Sequence, residues 1–387
     1  MYKKFLIVLA LVVLCACNNN QNQSVNEINT GFSSASPEAT DEIVLSPTPI
    51  MTKPDEMKIP ETKTLEAEVL EGKIIYVEAI SNTVKYILLS GMVKNDLYSS
   101  SKDRIDRAYL FPNGEQVILL INSEDSNSTD NIFMGDIYGS ELKPLTDNDY
   151  SEYFIDISPD NDEIVFVRES ENVSFDIFKL NVVDMVETQL TDNGKYKGFI
   201  RWSLDGNLIA YIEENGEYGR LVISKADGSE RNILIEENVI FQAGLAWTAD
   251  SNMLIVPVKD AKSNINLVAV DITNGNRAFI SSGDLCLSPM VISDLVVYDC
   301  TENNKNIFYS YDLSTGQTRE IASFDKYDSF TGVLYESVPF PSRNQFVVLY
   351  KGKSRSTLFV VSIDDSEMTE IISNEYFTWF GWGNVRE

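Results

Sequence analysis

FIRWSLDGNLIAYI, residues Phe199 to Ile212, holds an apolar run ending in Trp202, a turn signal Ser203-Leu204-Asp205-Gly206, and a second apolar run from Leu208 to Ile212. Strand, tight turn, strand is what this order of residues predicts. The phrase returns as RAYLFPNGEQVILL (Arg107 to Leu120), FIDISPDNDEIVFV (Phe154 to Val167) and GLAWTADSNMLIVPV (Gly244 to Val258). From Phe111 to Ser158, Ser158 to Ser203 and Ser203 to Thr248 the steps are 47, 45 and 45 residues. A further 93 residues lead to Pro341, room for one degenerate unit, CLSPMVISDLVVYDC, Cys286 to Cys300.

Periods of this length with four short strands each predict propeller blades. The outer strands are legible too, for example Phe175 to Val183 then Glu187 to Thr191, and Arg220 to Lys225 then Arg231 to Ile235. Leu65 to Ser100 supplies three strands without an inner one, and Tyr376 to Asn384 an inner strand without a blade. Joined, they close the ring, which removes exposed sheet edges. The expectation is an all-β, seven-bladed β-propeller of four-stranded antiparallel blades closed by the C-terminal strand, with six blades as the alternative. Leu110, Ile157, Trp202 and Trp247, just before the turns, and Ala108, Ile155, Ile200 and Leu245 two places earlier form period-2 columns, the pattern of residues that pack one blade on the next.

Ahead of this body, Met1 to Cys17 carries Lys3 and Lys4, then an apolar run from Phe5 to Leu14. The run is too short to span a bilayer and reads as an export signal. Leu14-Cys15-Ala16-Cys17 resembles a bacterial lipobox, which implies acylation of Cys17. Residues 18–64, rich in Asn, Ser, Thr, Pro and Glu, read as a disordered tether reaching roughly 40 Å. The domains expected are therefore 1–17 signal, 18–64 tether and 65–387 propeller, placing the protein on the extracytoplasmic side of the cell membrane, or of the outer membrane if the cell has one.

The hairpin turns followed by apolar strands, with Pro144-Leu145-Thr146-Asp147 and Gln189-Leu190-Thr191-Asp192 closing two blades, resemble the TolB-type β-propeller repeat. Prolyl-oligopeptidase-like enzymes share that repeat, but their hydrolase domain with its Ser and His has no counterpart here. The resemblance implies a fold and no activity.

The chain contains no histidine. That removes Ser-His-Asp and Cys-His catalysis and imidazole metal sites. A net charge of -28 makes nucleic acid an improbable partner. The carboxylates match no EF-hand loop, so no cofactor is expected and a structural Ca²⁺ has no support. With Cys15 and Cys17 assigned to the signal, Cys286 and Cys300 remain, equidistant from Ser293 in a hairpin and so predicted to form a disulfide.

Connections from one blade to the next gather aromatics at one end of the ring: Tyr150, Tyr153, Tyr196, Phe241, Tyr327, Phe330, Tyr335 and Tyr376. Aromatics among carboxylates suit a partner-binding surface. The reading is a monomeric, non-catalytic scaffold for a protein or peptide of the cell envelope, touching the membrane through its lipid alone. A glycan-binding propeller or a carboxylate-dependent glycan-acting enzyme is the alternative; no carboxylate spacing in the sequence nominates a catalytic pair.

Overall fold

The computed structural model describes residues 73–383, except 79, 89–92, 124–128, 170–173, 242–243, 282, 284, 304, 326–337, 340–343, 352–355 and 376. Cys17, the signal, the tether, Tyr327, Phe330, Tyr335 and Tyr376 lie outside the described residues. Every regular element described is a strand, and the sheets are small, antiparallel and arranged as a β-propeller.

Five of the sheets have four strands, among them Arg104–Leu110 to Lys143–Pro144 and Glu152–Ile157 to Glu187–Gln189. Phe377–Gly383 pairs antiparallel with Lys73–Glu78, so the C-terminal strand is the inner strand of the first sheet. One expectation is corrected. Seven or six separate blades are not observed: five are, and the units beginning near Lys197 and Phe241 form a single eight-stranded sheet. The cause is the strand Asn232–Val239, which runs past the expected end at Ile235 until Val239 pairs with Val258 of the next unit. Ile240 N–H then donates to Pro257 O at 2.9 Å. Gly219 permits the approach, because a Cβ there would collide with Ile212 and lie 3.3 Å from the Phe241 ring.

Local side-chain chemistry explains the repeating turns. Ser158 Oγ accepts from Glu163 N–H, Ser203 Oγ from Leu208 N–H and Thr248 Oγ1 from Met253 N–H, all at 2.9 to 3.0 Å. The Asp two places on, Asp160, Asp205 or Asp250, bonds that same hydroxyl and the N–H at the turn's far side. Such Asx and hydroxyl turns close a hairpin without help from distant residues.

Between blades, alternate inner-strand side chains are buried as the columns predict. Trp202 packs with Val165 and Val167 of the preceding blade, and Trp247 with Ala210, Ile212 and Leu221. Ile155 and Ile200 are fully enclosed with their neighbours.

A second device fixes the blade-to-blade connections. Thr146, Thr191 and Ser281 hydroxyls accept the N–H of Ile132, Ile177 and Leu267. Asp176 accepts from Thr191 at 2.9 Å and from the fully buried Lys197 Nζ at 2.9 Å. Lys197 also donates to Lys195 O and to Asn193, whose Nδ2 donates to Glu213. Burial lowers the Lys197 pKa and its partners only partly oppose this. A buried pair of this kind is costly to break from one side. Lys197→Met is expected to lower stability by about 3 to 5 kcal/mol in urea unfolding, and the double variant with Asp176→Leu to recover much of that loss.

Candidate functional site

The blade-to-blade connections enter the inner strands through a β-bulge. Pairing shifts between Tyr153 and Asp156 and between Gly198 and Arg201, and Phe154 and Phe199 take φ of 52° and 50°. Gly244 and Ser288 adopt the left-handed region at the corresponding places. Bulky residues there cost about 1 to 3 kcal/mol and persist only where surroundings dictate them.

Those surroundings are aromatic. The Phe154 and Phe199 rings lie 5.4 Å apart, Phe154 meets Tyr196 edge-on at 6.4 Å, and Tyr196 sits 4.5 Å from Phe175 and 4.7 Å from Phe241. Tyr153 joins at 6.3 Å from Phe175. Of the aromatics expected at this end, Tyr153, Tyr196 and Phe241 are thus brought together, all half-buried. Tyr150 is also half-buried, its N–H on Asn148 Oδ1. Phe154, Phe175 and Phe199 were not among the expected residues. The first and last sit at the bulge, which reverses their side of the strand relative to a regular period-2 pattern.

Carboxylates surround the rings. Tyr153 Oη donates to Glu169 Oε2 at 3.2 Å, and Tyr196 N–H points to Glu214 Oε2 at 3.4 Å. Burial pushes both phenols above their ordinary pKa. Glu169 adds to the shift of each, Asp130 to that of Tyr153 and Glu214 to that of Tyr196, while Arg107 opposes it at Tyr196.

One carboxylate pair is nominated by the structure alone. Asp106, in the bulge of Arg104–Leu110, lies within hydrogen-bonding reach of Asp130 at the start of Asp130–Asp136. Arg104 holds both oxygens of Asp106, at 2.5 and 2.7 Å. Asn122 Nδ2 donates to Asp130 at 2.9 Å, and Asp130 N–H donates to Ser151 Oγ of the next connection. Burial, and then the neighbouring Asp106, push Asp130 up to about 6. No sequence signal could have found this pair, since the two residues come from strands one and three of a blade. Deeper in, Glu152 is buried against Arg168, Asn148 and Thr146. Burial raises its pKa in spite of them.

Cys286 and Cys300 face each other in register with Cα atoms 4.1 Å apart and are joined as a disulfide. In the same sheet Asp299 is buried, with one carboxylate oxygen lacking a partner among the described residues, and burial pushes it up to about 6. Among the described residues no group of three or more Cys, Asp or Glu side chains is placed to hold a metal ion.

No protein-family profile matches the chain, and no curated protein does. Among solved structures it is similar to TolB from Acinetobacter baumannii, at 11% identity over 82% of this chain and 80% of that one, with a TM-score of 0.51. An oligogalacturonate lyase in complex with manganese shares 12% identity over 73% of this chain and 83% of its own, with a TM-score of 0.59. A prolyl endopeptidase structure matches at 9% identity over 79% of this chain and 49% of its own, with a TM-score of 0.60. The chain therefore spans about half of that peptidase. At these identities the likeness is one of fold, and the fold is a TolB-like β-propeller.

Asp130 gives the site a pH dependence. Its folded pKa is raised above the ordinary 3.8 to about 6, so the stability it contributes is fully present below about pH 4 and lost as pH rises through 6. Asp130→Asn should flatten urea stability between pH 4 and 7 and raise it at pH 7 relative to the unaltered protein.

Proposed function

We propose that this protein is a non-catalytic lipoprotein of the cell envelope whose propeller binds a protein or peptide at the end carrying Tyr153, Tyr196 and Phe241. The observation that carries the reading is the half-buried aromatic cluster built on two strained phenylalanines. Strained backbone concentrates where function dictates it, and aromatics with a polar rim are the usual anchors of an interface. Acylation of Cys17 would hold the body to the extracytoplasmic side of the membrane, with residues 18–64 as tether. The Cys286–Cys300 bond suits that oxidising location.

A second reading has one observation in its favour. The Asp106–Asp130 pair sets a second carboxyl beside one that burial raises to about 6, a group able to exchange a proton near neutral pH, and a lyase of oligogalacturonate is among the proteins of similar fold.

Pull-down from envelope extracts separates the two. Binding predicts that Tyr196→Ala loses the captured partner while Tyr138→Ala, exposed on an outer turn, keeps it. Catalysis predicts oligogalacturonate turnover that Asp130→Asn abolishes. Cys17→Ser should release the protein from membranes, read by fractionation.

A further inference from the structure

We propose that Asn215 is a site of spontaneous covalent modification: its carboxamide closes onto the backbone nitrogen of Gly216 and hydrolyses to an aspartyl or isoaspartyl residue, at the end of the ring that carries Tyr196. The proposal stands apart from the binding reading and does not need it.

Asn followed by Gly is the dipeptide in which this closure meets least steric resistance, because Gly puts no side chain beside the attacking nitrogen. The sequence holds four, Asn113-Gly114, Asn193-Gly194, Asn215-Gly216 and Asn274-Gly275. The fold separates them. Gly114 N–H donates to Phe111 O at 2.8 Å and Gly275 N–H to Asp271 O at 2.9 Å, so at both sites the nitrogen that must lose its proton is committed to a hydrogen bond. At Asn193 the carboxamide is clamped at both ends: Nδ2 donates to Glu213 at 2.7 Å, and Oδ1 accepts from the buried Lys197 Nζ at 2.5 Å. Asn215 lacks both restraints. Among the described residues Gly216 N–H has no acceptor and Asn215 Oδ1 no donor, and a Cβ built on Gly216 would meet nothing within 4 Å. Gly216 is exposed and Asn215 half-buried, so solvent reaches the joint.

Loss of the Gly216 N–H proton to solvent base frees the nitrogen to attack Cγ of Asn215. The new C–N bond forms, the Cγ–Nδ2 bond breaks, and Nδ2 leaves as ammonia after taking a proton from water. Water then opens the cyclic imide at either carbonyl, giving the aspartyl or the isoaspartyl product. Water is consumed, ammonia is released, and nothing is oxidised or reduced.

The position gives the change a structural consequence. Asn215 Nδ2 donates to Glu236 O at 2.7 Å, tying the hairpin of Leu208–Asn215 and Tyr218–Lys225 to Asn232–Val239, the strand that runs on into the next unit. A carboxylate has no proton to donate to that carbonyl, so the tie is lost. The isoaspartyl form also lengthens the main chain beside a tight turn whose length sets the pairing of Asn215 with Tyr218. Glu214 N–H donates to Tyr196 O at 2.8 Å, so the change lands beside the aromatic cluster.

The test is incubation of the full, detergent-solubilised protein in heavy-oxygen water at mildly alkaline pH, folded and in urea, until the unfolded sample has converted, followed by digestion and peptide mapping by mass spectrometry. In urea the Asn–Gly sites should take up label at similar rates, since only their common dipeptide remains. In the folded protein Asn215 should convert roughly tenfold or more faster than Asn113, Asn193 and Asn274. Asn215→Gln should remove the label at that position and leave the others unchanged. Isoaspartyl methyltransferase should methylate the aged folded protein and not the aged Asn215→Gln variant. Equal rates at all the folded sites, a faster rate at any of the other three, or an Asn215 that stays unconverted while folded would overturn the proposal.

Discussion

Alternate inner-strand side chains are wedged against the preceding blade, and the rest of the structure depends on that contact. Trp202 packs in one cluster with Val165 and Val167, and Trp247 in another with Ala210 and Ile212. A four-stranded sheet has two faces to cover and too few residues to cover them itself; stacking sheets radially covers both. Once the wedge is set, the hairpin turns fall at one end of the ring and the blade connections at the other. The pairing of Phe377–Gly383 with Lys73–Glu78 then removes the edge an open array would leave.

This contact was legible because it is local in period. Ser203 and Asp205 close their turn with their own neighbours, so the turn announces itself wherever the residues occur. The Leu-Thr endings were visible as punctuation, but their work was not. Thr191 reaches Asp176 and Asp176 reaches Lys197, three residues from an outer strand end, a third strand and the next blade. A buried lysine at the start of a strand reads in sequence as a surface residue, and only its partners make it otherwise. Asp106 and Asp130 were illegible for a similar reason: a one-residue bulge places Asp106 where regular alternation would not. The blade count also failed locally. EENVIFQAGL carries charges where a strand is usually apolar, yet Asn232–Val239 continues through them because its edge finds Val258.

The end of the ring that carries Tyr196 combines features that pull in different directions energetically. Phe154 and Phe199 hold left-handed backbone, and Asp130 is raised toward neutrality beside Asp106. Neither helps the fold at pH 7. The opposite end also uses left-handed backbone, at Asn161, Ser251 and Ser293, but there it falls on small polar turn residues rather than on phenylalanines.

The shared edge at Val239 and Val258 alters how the ring answers a load. Separate blades slide past one another on side-chain contacts, so a disturbance at one is absorbed within it. Here two sectors are joined by backbone hydrogen bonding, and Phe241 follows the joint by two residues. Whatever pulls on Phe241 pulls on a continuous sheet from Lys197–Trp202 to Arg277–Phe279. That sector, eight strands beside five blades of four, is one continuous plate, and compliance is left to the five blades around it.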